Sequence, residues 1–326
     1  MEKTKLLENI NYQPPLFFGS GHVQSIYPTI FRKVDPGFYR RERITTGDDD
    51  FLDLDWAQLN PETGRCAIIS HGLEGDSRRA YVVGMAKALN ANGWDALAWN
   101  YRTCSGEPNR QFRLYHNGVT DDLEAVINHA KSLKRYKEIA LVGFSLGGNL
   151  SLLYLGRKGD KLDPIIKKAA VFSVTCDLRT SADILAKPSN IIYMKRFLIL
   201  LHKKIRVKME MFPGKIDDRG YWKIKDFKDF DDRYTAPIHG FRDALDYWKK
   251  CSSKPVIPSI AIPALIVNAK NDPFLSPECY PIEEAGANKN IFLKMPDSGG
   301  HVGFIEFNKE NMYWSEKIAA RFLNAV

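Results

Sequence analysis

The stretch Gly-Phe-Ser-Leu-Gly-Gly-Asn-Leu, residues 143–150, places Ser145 between two glycines directly after the apolar run 139–142. A serine on a tight turn between a strand and a helix exposes its hydroxyl, as a nucleophile requires. Serine is also favoured at the N-terminus of a helix, where its hydroxyl caps the first turn. The short pattern fits both roles, so the rest of the chain has to distinguish them.

Strand-like apolar runs alternate with helix-like patterns on both sides of this stretch. A turn at 47–50 joins two antiparallel strands predicted at 38–46 and 51–59. The sequence then predicts strands at 66–70, 94–99, 139–144, 169–174, 264–268 and 291–295, and helices at 79–90, 119–133, 146–155, 277–284 and 312–323. This alternation predicts an α/β fold with a mostly parallel central sheet flanked by helices.

The alternation is interrupted once, between two predicted strands. Residues 177–250 are charged, aromatic and helical in pattern. We interpret this segment as a helical cap inserted over the carboxyl ends of the strands, where open α/β sheets bind ligands. The predicted organisation is an N-terminal arm and the first part of the core over 1–176, the cap over 177–250, and the remainder of the core over 251–326.

A nucleophilic serine needs a histidine to take its proton and a carboxylate to orient that histidine. In folds of this class the three residues occur in the order serine, acid, histidine, each on a loop after a strand. Asp272 follows the strand predicted at 264–268, and Pro273 keeps it out of helical geometry. His301 follows the strand predicted at 291–295, after two glycines that allow a sharp turn. The spacing therefore predicts a catalytic triad of Ser145, Asp272 and His301.

Other assignments stay open at this point. Asp297 and Asp177 are rival acids, and Asp272 is then an ordinary turn residue. His71 also follows a predicted strand, but it comes too early in the chain to be the general base.

The transition state of acyl transfer also needs N–H donors for a developing oxyanion. The N–H group of Leu146, which follows the nucleophile, is the first candidate. The second comes from the loop after the strand at 66–70, and we assign it to Leu73 with Gly72 as the alternative. No metal site or cofactor is expected for this chemistry.

The cysteine content and the distribution of charge indicate the cellular compartment and the kind of surface that the protein contacts. Five cysteines in 326 residues form no CxxC pair, which is typical of reduced thiols in a cytoplasmic protein. No secretory signal or membrane-spanning segment is predicted. Much of the net charge of +8 lies in 190–215, where seven Lys or Arg occur with one acid among apolar residues. This basic stretch is compatible with peripheral membrane contact or with a packed helix whose basic face is solvated, and no motif indicates nucleic acid.

Taken together, the motifs resemble those of the YheT-like, ABHD-type family of α/β-hydrolases. The matching segments are 21–28, 71–75, 100–109, 115–123, 143–149, 271–274 and 299–304. Thr103 stands where glycine is expected in many relatives, and Ser25 stands where threonine is common. The resemblance implies a capped hydrolase fold, a triad of Ser145, Asp272 and His301, and lipid-like or short- to medium-chain acyl esters as substrates.

The predicted function is that of a serine hydrolase acting on a small-molecule carboxylic ester through an acyl-enzyme. An acyltransferase that passes the acyl group to an alcohol uses the same residues. A catalytically silent binding protein that uses its basic cap is a third hypothesis. The oligomeric state, the acyl chain length and the alcohol are left open.

Overall fold

The computed structural model describes residues 11–325, in which eight strands form one sheet. The strands are β1 (Arg40–Thr45), β2 (Phe51–Ala57), β3 (Arg65–Ser70), β4 (Asp95–Trp99), β5 (Glu138–Phe144), β6 (Ile166–Phe172), β7 (Ala264–Val267) and β8 (Ile291–Lys294). Their order across the sheet is β1-β2-β4-β3-β5-β6-β7-β8. Strand β2 is antiparallel to β1 and β4, and the other pairings are parallel. The predicted α/β-hydrolase fold with a mostly parallel sheet is confirmed.

Helices cover both faces of this sheet. They are α1 (Gly21–Phe31), α2 (Ala80–Ala91), α3 (Thr120–Ser132), α4 (Leu146–Lys158), α5 (Leu178–Leu185), α6 (Ile191–Met211), α7 (Phe227–Phe230), α8 (Ala236–His239), α9 (Ala244–Cys251), α10 (Ile282–Ala287) and α11 (Trp314–Ala325). Apolar side chains of α3 and α4 pack on one face, and those of α2 and α11 pack on the other. Within the described residues, no helix is both long and apolar enough to cross a bilayer.

The structure differs from the predicted elements in two places. The helix predicted at 277–284 is instead a 3₁₀ turn, Pro277–Cys279, followed by α10. Pro281 lies at the start of α10, where its fixed φ and missing N–H separate the two elements. Helix α1 was not predicted, since it contains Pro28 and its buried positions are a glycine, a glutamine and that proline.

Helices α5 to α9 occupy the connection between β6 and β7. They have hydrophobic clusters of their own, one of which groups residues of α6 with Tyr221, Phe230 and Tyr234. A π-helical turn, Asp231–Thr235, joins α7 to α8. The division of the chain at residues 177 and 250 stays a prediction, although α5 begins at Leu178 and α9 ends at Cys251.

Two lysines of α6 attach this helical segment to the sheet domain. The Lys204 ammonium donates to the carbonyl oxygen of Thr103 at 2.6 Å and lies 3.7 Å from a carboxylate oxygen of Glu74. Lys208 is completely buried and donates to the carbonyl oxygens of Asn109, at 2.7 Å, and of Gln111. The basic stretch at 190–215 is therefore not a uniformly solvated face, because two of its cations point into the protein.

Lys208 is expected to make the stability of the fold depend on pH. Burial lowers the pKa of its ammonium to about 8, whereas in the unfolded chain the pKa is about 10.4. Between these two pKa values the unfolded state binds more protons than the folded state, so the free energy of unfolding rises with pH. The stability gained when buried Lys208 is neutral is present in full above the unfolded pKa and is lost as pH falls through 8. From pH 8 to 10, the free energy of unfolding of the wild type should rise relative to Lys208→Met by on the order of 1–2 kcal/mol.

Denaturant unfolding at several pH values measures this difference. Lys203→Met alters an exposed position of the same helix and is the matched control. The wild type should show no such rise relative to the control. An identical pH dependence for Lys208→Met and the wild type would contradict the assignment.

Candidate active site

Ser145 lies on the turn between β5 and α4 in a strained backbone conformation. Its φ of 52° and ψ of −116° are unusual for any residue other than glycine. Its N–H donates to the carbonyl oxygen of Phe172 at 2.9 Å, which fixes the turn against β6. Although Ser145 is the residue before the helix, its side chain makes no capping hydrogen bond. The geometry therefore favours a displayed hydroxyl over a helix cap.

The glycines around Ser145 are required by close packing. A Cβ atom at Gly143 would lie 2.4 Å from the carbonyl oxygen of Gly147. A Cβ atom at Gly147 would lie 2.3 Å from the carbonyl oxygen of Ser70 on β3, and one at Gly148 would lie 2.7 Å from a methyl group of Val174. A side chain at these positions would push α4 away from the strand and open the turn.

Asp272 and His301 form a hydrogen-bonded pair at the carboxyl edge of the sheet. His301 Nδ1 lies 2.9 Å from Oδ2 and 3.1 Å from Oδ1 of Asp272. The Asp272 carboxylate is buried, and it also accepts the N–H of Phe274 at 2.9 Å. The Phe274 ring covers the imidazole, with the two ring centroids 4.1 Å apart. This arrangement fixes the ring and leaves Nε2 as the nitrogen available to a reacting group.

The two rival acids have other partners. Asp297 is 90% exposed and pairs with Lys270 at 2.7 Å. Asp177 caps helix α5 by accepting the N–H of Thr180 at 3.0 Å. The structure thus brings Asp272, and neither of these carboxylates, to His301.

Ser145 and His301 line the same cavity, but they form no hydrogen bond among the described residues. The hydrogen bonds of catalytic groups are often long in unliganded enzymes and shorten when substrate binds. The structure therefore brings all three predicted residues to one site, with the acid–histidine contact made and the serine–histidine contact open.

The loop that carries His301 is held by the N-terminal arm. The hydroxyl of Ser25 on α1 accepts the backbone N–H of His301 at 2.8 Å and donates to the carbonyl oxygen of Gly21 at 2.7 Å. The Gln24 side chain donates to the hydroxyl of Ser298 at 2.7 Å. A Cβ atom at Gly21 would lie 1.9 Å from the carbonyl oxygen of Asn271, next to the catalytic acid candidate. No feature of the sequence indicated this role, although 21–28 was among the matching segments.

Ser25→Ala is expected to lower kcat by about 10- to 100-fold, because the His301 backbone loses its anchor and the imidazole is misplaced. Ser25→Thr keeps the hydroxyl and is expected to retain most of the wild-type activity. Steady-state hydrolysis of a soluble ester by the three proteins measures the effect. Equal activity of the alanine and threonine variants would contradict a positioning role for this hydroxyl.

The loop after β3 lies beside the nucleophile. A Cβ atom at Gly72 would lie 3.3 Å from the Cβ atom of Ser145. The N–H of Gly72 donates to the hydroxyl of Tyr81 at 2.9 Å. The N–H of Glu74 donates to the hydroxyl of Tyr115, also at 2.9 Å. Among the described residues, the N–H of Leu73 between them has no acceptor. The geometry therefore favours Leu73 over Gly72 as an oxyanion donor.

Leu146 has the position expected of the other donor. It is the first residue of α4, and the N–H groups in the first turn of a helix have no acceptor within that helix. Positive partial charge also accumulates at this end of a helix. A negative oxygen next to Ser145 would thus meet both an N–H donor and a favourable helix dipole.

His71 has a structural role beside this loop. Its Nε2 accepts the N–H of Tyr101 at 3.3 Å, so Nδ1 carries the proton and donates to the carbonyl oxygen of Gly72 at 2.8 Å. Burial lowers the pKa of this imidazole to about 3, which keeps it neutral. His71 therefore shapes the turn that displays Leu73.

Ser145 and His301 open into a cavity of about 500 Å³ between the sheet domain and helices α5 to α9. Much of its wall is apolar and includes Leu178, Leu185, Phe197, Phe230, Trp248 and Phe274. A polar part contains Asp231, whose pKa burial raises to about 7 although its carboxylate accepts the indole N–H of Trp248 at 2.8 Å. The apolar part of such a cavity is suited to an apolar chain.

Comparison with known proteins agrees with this architecture. Residues 68–307 match the family described as having the alpha/beta hydrolase fold. The YheT protein of Escherichia coli K12 is 33% identical over 293 residues, which are 88% of this chain and 85% of that protein. Phospholipase ABHD3 of Homo sapiens is 30% identical over 325 residues, covering 97% of this chain and 79% of that protein. The esterase Pf2001 of Pyrococcus furiosus shares the fold with a TM-score of 0.59 and 18% identity, over 89% of this chain and 91% of that one.

Proposed function

The chain belongs to the alpha/beta hydrolase fold family, and on this premise we propose that it is a serine hydrolase of carboxylic esters. The observation that carries the proposal is the Asp272–His301 hydrogen bond at a cavity that is also lined by Ser145, a serine with positive φ. Ser145 and His301 line a largely apolar cavity that an acyl chain would fill. The kinship with a protein named as a phospholipase further supports an ester substrate.

In the proposed reaction His301 Nε2 accepts the proton of the Ser145 hydroxyl as Oγ attacks the ester carbonyl carbon. The carbonyl oxygen gains the negative charge of the tetrahedral intermediate and accepts hydrogen bonds from the N–H groups of Leu73 and Leu146. The Asp272 carboxylate holds the proton on Nδ1 and stabilises the imidazolium that forms. His301 then donates its new proton to the leaving alkoxide, which departs as the alcohol and leaves an acyl-serine.

The second half of the reaction repeats these steps with water as the nucleophile. His301 takes a proton from water, the hydroxide attacks the acyl carbon, and the same two N–H groups hold the oxyanion. The intermediate collapses to the carboxylic acid, and His301 returns the proton to Ser145 Oγ. Besides the substrate and water, these steps use only side chains and backbone groups of the chain.

The largely apolar wall of the cavity supports a hydrophobic acyl group as the part of the substrate bound there. We place the enzyme in the cytoplasm, and the five cysteines, all of them free thiols, support a reducing compartment. The alcohol part of the ester would lie toward the open side of the cavity.

Hydrolysis of p-nitrophenyl esters from acetate to palmitate tests the proposal. We expect turnover, a higher kcat/KM for chains longer than acetate, and an acyl adduct in acid-quenched intact-protein mass spectra. Added ethanol separates hydrolysis from acyl transfer, because a hydrolase yields mainly the free acid whereas an acyltransferase yields the ethyl ester. Absence of turnover across the series by the folded wild type would overturn the proposal.

A further inference from the structure

Helices α1 and α6 expose large apolar side chains to solvent. Ile30 and Phe31 of α1 are 60% and 61% exposed, and Ile192 and Ile199 of α6 are 73% and 59% exposed. Further exposed apolar residues in or near α1 are Leu16, Phe17, Val23, Ile26 and Phe307. Single exposed apolar residues are ordinary on protein surfaces, but a group of this size marks an interaction site.

Helices α1 and α6 contact each other through one pair of rings. The His22 ring of α1 stacks on the Tyr193 ring of α6 with centroids 5.8 Å apart, and His22 Nδ1 lies 3.1 Å from the Tyr193 hydroxyl. Phe307 and Phe31 both contact the Tyr27 ring and extend the surface along α1. We call the exposed apolar residues named above, together with the cations described next, the docking face.

The two chain segments that carry α1 and α6 have positive charge and no acidic residue. The segments 11–33 and 187–209 contain no Asp or Glu. Their exposed cations are Lys33, Lys187, Lys195, Arg196, Lys203 and Arg206. Within residues 11–325 none of these six forms an ion pair, in contrast to Arg32, which is buried against Glu316 at 2.7 Å. Their charges are thus available to an external anionic partner.

The catalytic cavity opens onto the same surface. Of the residues that line the cavity, the exposed ones are Thr29, Lys33, Arg78 and Arg196. Three of these four are cations, and three lie in or next to α1 and α6. The rim of the cavity is therefore continuous with the docking face, and its charge has the same sign.

We propose that the docking face binds an anionic lipid surface and holds the mouth of the cavity against it. Apolar side chains interleaved with Lys and Arg are the composition that inserts shallowly into the boundary between headgroups and acyl chains. The cations contact anionic headgroups while their aliphatic stems extend the apolar contact. Delivery of an ester from this layer to Ser145 rests on the proposed function, whereas the docking itself does not.

This surface differs from the basic stretch 190–215 that the sequence indicated. Lys204 and Lys208 of that stretch are attached to the sheet domain. The docking face also includes α1, whose apolar residues precede α6 by 160 or more positions in the chain. Binding to an anionic lipid surface should therefore depend on residues of both helices and not on the two inward lysines.

Co-sedimentation with phosphatidylcholine vesicles, with or without about 30 mol% phosphatidylserine, tests the docking. We expect the wild type to bind the anionic vesicles at about 50 mM salt and to be released at about 500 mM, where surface charges are screened. Hydrolysis of p-nitrophenyl acetate, which needs no lipid surface, is measured in parallel. Failure of that hydrolysis would count against the proposed function, and failure to bind vesicles would overturn the docking.

Two variants of the docking face avoid every residue that lines the cavity. Reversal of three charges, Lys195→Glu with Lys203→Glu and Arg206→Glu, is expected to weaken binding to anionic vesicles by about 100-fold or more. Replacement of three apolar residues, Ile30→Gln with Ile192→Gln and Ile199→Gln, is expected to weaken it by about tenfold or more. Both variants should hydrolyse p-nitrophenyl acetate at the wild-type rate.

Matched controls lie near the amino ends of β5 and β6, at the opposite edge of the sheet from the cavity. The charge control is Lys137→Glu with Lys161→Glu and Lys167→Glu, and the apolar control is Leu133→Gln, which is compared with the single replacement Ile192→Gln, all at exposed positions. The charge control alters net charge as much as the docking variant does, so it separates local contact from overall attraction. Equal losses of vesicle binding in the control and docking variants would overturn the proposal.

Tryptophan fluorescence checks which surface meets the lipid. Ile30→Trp and Ile192→Trp are each expected to gain a blue-shifted emission component with anionic vesicles, relative to the wild type, and Leu133→Trp is not.

The alternative partner for these exposed residues is a second copy of the chain. Sedimentation as a dimer that the triple glutamine variant dissociates, without any vesicle binding, would assign the surface to self-association and overturn the lipid proposal.

Discussion

Ser145→Ala is expected to lower kcat for ester hydrolysis by at least about 10⁴-fold. Without the hydroxyl no acyl-enzyme forms, and the residual rate comes from water attacking an ester polarised by the N–H groups of Leu73 and Leu146. Stability should change little, because the Ser145 side chain makes no hydrogen bond among the described residues. Steady-state kinetics together with denaturant unfolding measure both quantities.

Ser145→Gly is the matched variant for this prediction. It also lacks the nucleophile, but glycine adopts the observed φ of 52° without the strain that alanine shares with serine. The glycine variant should be as inactive as the alanine variant and more stable by about 1 kcal/mol. Retention of more than a tenth of wild-type turnover by both variants would show that Ser145 is not the nucleophile.

Asp272→Asn is expected to lower kcat by about 10⁴-fold while the fold is kept. An asparagine amide that donates to His301 Nδ1 forces the proton onto Nε2, and this tautomer cannot accept the serine proton. The effect depends on the hydrogen bond of 2.9 Å and on the burial of the carboxylate, which keeps water from replacing it. Kinetics with a soluble ester measure the loss, and circular dichroism verifies the fold.

The rival acids supply the controls for Asp272. Asp297→Asn alters an exposed carboxylate that pairs with Lys270, and it should leave kcat within about twofold of the wild type. Asp177→Asn should also have little effect, because asparagine caps helices about as well as aspartate does. A loss of activity in either control comparable to that of Asp272→Asn would contradict the assignment of the acid.

The sequence predicted the parts of the site that depend on local pattern. The elbow at Ser145 follows from an apolar strand, a glycine pair and a helix that are contiguous in the chain. The predicted positions of Asp272 and His301 follow from the rule that successive parallel strands bring their carboxyl ends to one edge. The interruption of the strand–helix alternation indicated the connection between β6 and β7 in which α5 to α9 lie.

Contacts between distant parts of the chain were not predictable in this way. The bond between Ser25 and His301 joins residues 276 positions apart, and no periodicity in either segment indicates the other. Leu73 was preferred to Gly72 from the sequence, but the contact that engages the Gly72 N–H, with the Tyr81 hydroxyl, depends on packing that no sequence pattern indicates. The inward turn of Lys208 likewise depends on backbone carbonyl oxygens that the loop at 109–111 presents to it.

The most direct test of an activated Ser145 is intact-protein mass spectrometry after exposure to a fluorophosphonate, with the wild type and Ser145→Ala compared at equal concentration. A fluorophosphonate modifies a serine whose proton is removed by a neighbouring base and whose oxyanion is stabilised by nearby donors. We predict one adduct on the wild type and none on the alanine variant. A folded wild type without an adduct, or an equal adduct on both proteins, would contradict the assignment of Ser145 as the activated nucleophile.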